Sequence, residues 1–149
     1  MILRDSEKVT LGQIMFGQLL GLDLHGEYVS VAFARIEDKV DRDFLGKSNL
    51  GSPSDKQIAL AKRFGFEISH ESKRIGDAVV DMIMKHLNLR AIEDQGLEPG
   101  VRVRFKDSSF PEYIISSIQE DGVVYFKGGN GKRANARNIR RIESEEPSR

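Results

Sequence analysis

Thr10-Leu11-Gly12-Gln13-Ile14 and Ser54-Asp55-Lys56-Gln57-Ile58 lie 44 positions apart and share one plan: a hydroxyl residue, two positions, a glutamine, then isoleucine. Both predict a capping box, in which the hydroxyl and amide side chains satisfy backbone N–H groups at a helix start. The same shift places Leu20-Gly21-Leu22-Asp23-Leu24 on Phe64-Gly65-Phe66-Glu67-Ile68, so each helix meets a glycine where it must stop. Further on, Glu27 meets Glu71, Val31 meets Ile75, Ala34 meets Ala78 and Ile36 meets Val80. Two related helical hairpins are expected, over about residues 9–45 and 53–92.

The second helix of each hairpin is long and amphipathic. Apolar residues recur every four positions at Tyr28, Ala32, Ile36, Val40 and Phe44, and again at Ile75, Val79, Ile83 and Leu87, which predicts two core faces. Glu37, Asp38, Asp41 and Asp43 are expected on the solvated face of the first of these helices. Between the hairpins, Gly46 to Pro53 is rich in glycine and serine and reads as a loop.

Helical periodicity ends at Gly96-Leu97-Glu98-Pro99-Gly100. Period-two alternation follows in Val101 to Phe105, Tyr113 to Ile118 and Val123 to Phe126. Ala134 and Ala136 suggest a short fourth strand, and Ile139 to Ile142 a fifth, with turns at Glu120-Asp121-Gly122 and Gly128 to Gly131. The class expected is α+β: an all-α part over 1–96, a five-stranded β-barrel over 97–143 and a polar tail over 144–149. The Pro-Gly entry, the long second strand, Gly-Val-Val-Tyr-Phe in the third and the terminal Ile-Arg-Arg-Ile resemble SH3-like barrels of the Tudor and KOW type. The hairpins, with their glycine-hydrophobic-x-hydrophobic turns, resemble SAP and HeH modules, and that resemblance implies DNA binding.

Composition sets the remaining bounds. Lys plus Arg and Asp plus Glu each total 23, so electrostatic function must come from uneven distribution. Cysteine is absent, which excludes disulfides and thiolate metal sites and fits a cytoplasmic protein of bacterial type. No apolar run has the length of a membrane span, so no membrane partner is expected. Gly46-Lys47-Ser48 ends like a phosphate-binding loop, but Asp41 occupies the position of the required first glycine. His25, His70 and His86 have no metal-ligand spacing, and no nucleophile setting is present. Hence no catalytic residue, metal or cofactor is assigned, and a non-enzymatic role is expected.

Charge segregation carries the functional expectation. Lys127, Lys132, Arg133, Arg137, Arg140 and Arg141 occur with no Asp or Glu among them, and Arg102 and Arg104 alternate along the first strand. Such a set attracts phosphate backbones, which points to DNA or RNA on the barrel. Among the aromatic residues Phe105, Phe110, Tyr113, Tyr125 and Phe126, the two tyrosines are the candidates for base stacking, since a phenol suits a half-exposed position. The alternative is an adaptor whose helical repeats hold a protein partner or a second copy, motivated by Phe16, Phe33 and Leu89, which fit the core stripes poorly.

Overall fold

The computed structural model describes residues 8–108, 111–128 and 131–143. They form four α-helices, α1 (Leu11–Leu19), α2 (Val29–Asp43), α3 (Asp55–Arg63) and α4 (Lys73–Gln95). Five strands follow: β1 (Arg102–Phe105), β2 (Tyr113–Ile118), β3 (Val123–Phe126), β4 (Arg133–Asn135) and β5 (Ile139–Arg141). The class is α+β. The chain divides between Ile83 and Met84, within α4, into two compact units. Among the described residues no helix is long and apolar enough to cross a membrane. The polar tail, Phe110 and the middle of the Gly128–Gly131 turn lie outside the described residues.

In the first unit the repeat is physical. Thr10 and Ser54 both cap their helices, each accepting from the backbone N–H of the glutamine three residues on, while Gln13 and Gln57 accept from the cap N–H groups. Gly21 and Gly65 carry φ of +80° and +88°, the left-handed conformation that ends α1 and α3 at little cost. The next turn is closed the same way twice: Leu22 N–H donates to Gly17 O at 2.8 Å and Phe66 N–H to Ala61 O at 2.9 Å. Leu24 and Ile68 then point inward and are buried.

The α4 stripe follows the sequence pattern, with Ile75, Val79 and Ile83 buried. The α2 stripe follows it in part, with Tyr28 and Ala32 buried and Ile36 and Val40 half-buried. Its buried face is Val31, Ala32, Ala34, Asp38 and Asp41, whereas Phe44 is 70% exposed. The expected wet acidic face is therefore partly interior. Asp38, 2% exposed, accepts from Ser72 Oγ and from Arg74 at 3.1 Å, and Asp41 accepts from Arg74 at 2.9 Å. Two carboxylates are tolerated there because one guanidinium and one hydroxyl from the start of α4 satisfy them. A second clamp joins the hairpins: Arg35 reaches Glu27 at 3.0 Å and Glu71 at 3.1 Å, two glutamates at equivalent repeat positions.

In the second unit all pairings are antiparallel, and the strand order is β4-β3-β2-β1-β5. The expected barrel is not closed: β4 and β5 form the two edges of an open sheet. Both are only three residues long, and a single turn of 3-10 helix, Ala136–Asn138, separates them. Ala136 thus belongs to that turn and not to the fourth strand. One sheet face supplies the core, with Val103, Ile115, Val124, Phe126, Ala134 and Ile139 joined by Leu97 and Ala136. Ala91 and Ile92 of α4 pack against it.

Asp38→Ala should destabilise the fold by about 3 kcal/mol or more, because it leaves Arg74 facing Asp41 and Glu37 alone and strips Ser72 of its acceptor. A urea titration followed by circular dichroism measures this. A midpoint unchanged from the parent would show that the buried carboxylate contributes nothing.

Candidate nucleic-acid interface

Because side chains alternate along a strand, the register sorts the eight cations into groups. Val103, Ile115, Val124 and Ile139 face the core, so Arg102, Arg104 and Arg140 face the other way. Arg104 stands directly opposite Arg140 across β1 and β5, and Arg102 opposite Ile114 across β1 and β2. A bulge between Ile115 and Ser117 re-phases β2, after which Ser117 opposes Tyr125 and Tyr125 opposes Arg133. The outer face of the sheet therefore carries Arg140, Arg104 and Arg102 towards one edge and Tyr125 and Arg133 towards the other.

The remaining cations are used differently. Arg141 sits opposite Val103 on the core side, and its guanidinium donates to the carbonyls of Gln95 at 3.2 Å and Gly96 at 3.1 Å. It caps the C-terminus of α4, where free carbonyls and the helix dipole favour a cation. Arg137 donates its guanidinium and its backbone N–H to Asn88 Oδ1 at 3.1 and 3.2 Å. Lys132 lies over the Tyr113 ring, 4.7 Å from its centroid. Lys127 is exposed just beyond β3.

Tyr113 and Tyr125 also part. Tyr113 stacks on Phe126 with centroids 4.6 Å apart, meets Phe105 edge-on at 5.7 Å and lies under Lys132, so its ring is already engaged. Tyr125 instead borders an open groove of about 830 Å³ with Lys85, Val123, Arg133 and residues 119–121. Arg133 donates to its phenol oxygen at 3.1 Å and lies 5.9 Å from its ring centroid.

Two participants escaped the sequence analysis. Glu112 bonds Arg102 and, at 2.7 Å, Arg104; these two guanidinium contacts hold its carboxyl below the usual carboxylate range. It is the single acidic residue between Lys106-Asp107 and the second strand, a position without a motif to mark it. Lys85 lies on a helix far upstream of the strands, and only the packing of α4 brings it to the groove. Among the described residues no group of three or more His, Asp or Glu can hold a metal.

Comparison with protein-family models, with curated proteins and with solved structures finds no match to this chain. Arg137 and Arg141 are built into the fold, and their loss should be visible as stability. Arg141→Ala and Arg137→Ala should each lower stability by about 1 kcal/mol, while exposed Arg140→Ala should stay within about 0.5 kcal/mol of the parent. Thermal unfolding of the three variants side by side checks the assignment, and equal midpoints would refute it.

Proposed function

We propose that this chain is a non-enzymatic nucleic-acid-associated module that holds phosphate on the outer face of its C-terminal sheet. The observation that carries this is the side-by-side placement of Arg104 and Arg140 on paired strands, with Arg102 two residues along the same face. Like charges directly opposite one another in a sheet are destabilising, and a polyanion laid across them removes that cost. Guanidinium groups also suit phosphate, to which they offer paired donors. Glu112 bonds Arg102 and Arg104, two of the three cations on this face. The strand order, with β1 between β2 and β5 and a 3-10 turn before the last strand, supports the SH3-like assignment within this proposal.

Replacing Arg102, Arg104 and Arg140 together with Ala should weaken binding to mixed-sequence oligonucleotides alike and reduce the slope of log K against log salt by roughly 2 to 3. Glu112→Gln should act in the opposite sense, since it releases two guanidiniums from an internal competitor. Fluorescence anisotropy across a salt series reads both. A triple variant that binds as tightly as the parent at low salt overturns the proposal.

A second reading is favoured by a separate observation in the first unit. Leu11, Met15 and Leu19, one stripe along α1, are 71%, 57% and 84% exposed, and α1 holds no charged residue. At the equivalent positions α3 carries Asp55, Ala59 and Arg63, so the hairpin itself does not require an apolar stripe there. We assign this stripe to contact with a second copy of the chain. In a two-fold contact the same surface meets itself, and an uncharged stripe does so without repulsion. Leu11→Asp, Met15→Ala and Leu19→Arg together should turn a dimer into a monomer in multi-angle light scattering while the helical signal persists. A parent chain that is monomeric at high concentration would remove this reading.

A further inference from the structure

Resting on the nucleic-acid proposal above, we infer that the groove beside Tyr125 seats one unpaired base, so that the sheet prefers single-stranded to duplex nucleic acid. The groove differs in kind from the arginine row. Lys85 and Arg133 border it from one side of the charge balance and Glu120 and Asp121 from the other, so it carries no net charge and is a poor seat for phosphate. What it offers is one aromatic ring, the flank of Val123, and hydrogen-bonding groups of both kinds at its rim. That set matches the flat, uncharged, donor-and-acceptor part of a nucleotide, its base.

The ring has an anchor of its own. Arg133 donates to the phenol oxygen at 3.1 Å, which restrains the ring, while Ser116 Oγ donates to the Tyr125 carbonyl at 3.1 Å, which restrains the backbone that carries it. Tyr113 supplies the internal contrast: Phe126 stacks on it and Lys132 lies over it, whereas Tyr125 carries Arg133 over its ring and borders the groove. The geometry of a strand laid across the face also agrees. Two strand spacings of about 4.8 Å separate β3 from β1, roughly the length of three stacked nucleotides at about 3.4 Å each. A base on Tyr125 and phosphates on Arg102, Arg104 and Arg140 therefore fit a short single strand, whereas a duplex keeps its bases stacked inside and offers none to the groove.

The test uses the full chain and three fluorescein-labelled probes of equal length: oligothymidylate, the same strand with abasic sites throughout its centre, and a hairpin duplex. The parent should bind oligothymidylate roughly ten- to hundredfold more tightly than the abasic strand, the size of one base–aromatic stack, and more tightly than the duplex. Tyr125→Ala should erase the difference between intact and abasic strands, and Tyr125→Phe should restore most of it, since the ring does the stacking and the hydroxyl only anchors it to Arg133. The parent's comparison of intact and abasic strands needs no variant and stays decisive if Tyr125→Ala unfolds. Equal binding of those two strands, or tighter binding of the duplex, overturns the single-strand preference while leaving the arginine row standing if its triple variant still loses affinity. No binding of any probe at low salt overturns both.

Discussion

Asn88 is the residue on which the architecture of the second unit turns. It is 3% exposed, and its amide is fully engaged: the nitrogen donates to Asp121 O and Asn135 Oδ1, each at 3.2 Å, and the oxygen accepts from the Arg137 backbone and side chain. One side chain on α4 thereby ties together the β2–β3 turn, the end of β4 and the 3-10 turn. Gly122 makes the approach feasible, since with φ of +86° any Cβ there would overlap Asn88. Satisfying every polar atom of a buried amide fixes one arrangement and penalises others. The same contact places residues 119–121 along the rim of the Tyr125 groove and removes Arg137 from the set of cations available to a ligand.

The first unit solves a comparable problem with charge. Arg74 gathers Asp38 and Asp41 from α2, and Arg35 gathers Glu27 and Glu71. Both clusters join one hairpin to the other through ion pairs. Pro53 adds a tight apolar contact, lying 2.6 Å from where a Cβ on Gly76 would be. That closeness explains why a glycine sits inside α4 despite its poor helix propensity.

Much of this was legible in the sequence for a physical reason. Capping boxes, glycine stops and alternating strands are local, and local chemistry at Thr10, Ser54, Gly21 and Gly65 suffices to mark them. What was not legible depends on distant partners. Asp38 and Asp41 read as solvated until Arg74, more than thirty positions away, neutralises them. The contiguous basic run from Lys127 to Arg141 promised a single patch, but strand alternation sends Arg140 and Arg141 to opposite sides of the sheet, and helix α4 claims Arg137 and Arg141. Tyr113 and Tyr125 look equivalent in sequence; the neighbours that surround the Tyr113 ring, Phe105, Phe126 and Lys132, come from β1, β3 and the residue before β4.

The two hairpins also differ in a compensating way. Where α3 has Ala61, α1 has Gly17, and a Cβ there would come within 2.6 Å of Leu24, a residue that matches Ile68 in the other copy. Leucine and isoleucine fill the same volume with differently placed branches, so the carbon missing from one helix is room taken by the partner side chain. Gly17 with Leu24 and Ala61 with Ile68 therefore fill equivalent space by dividing it differently between the helix and the turn that follows, so a substitution at one member of a pair is constrained by the other.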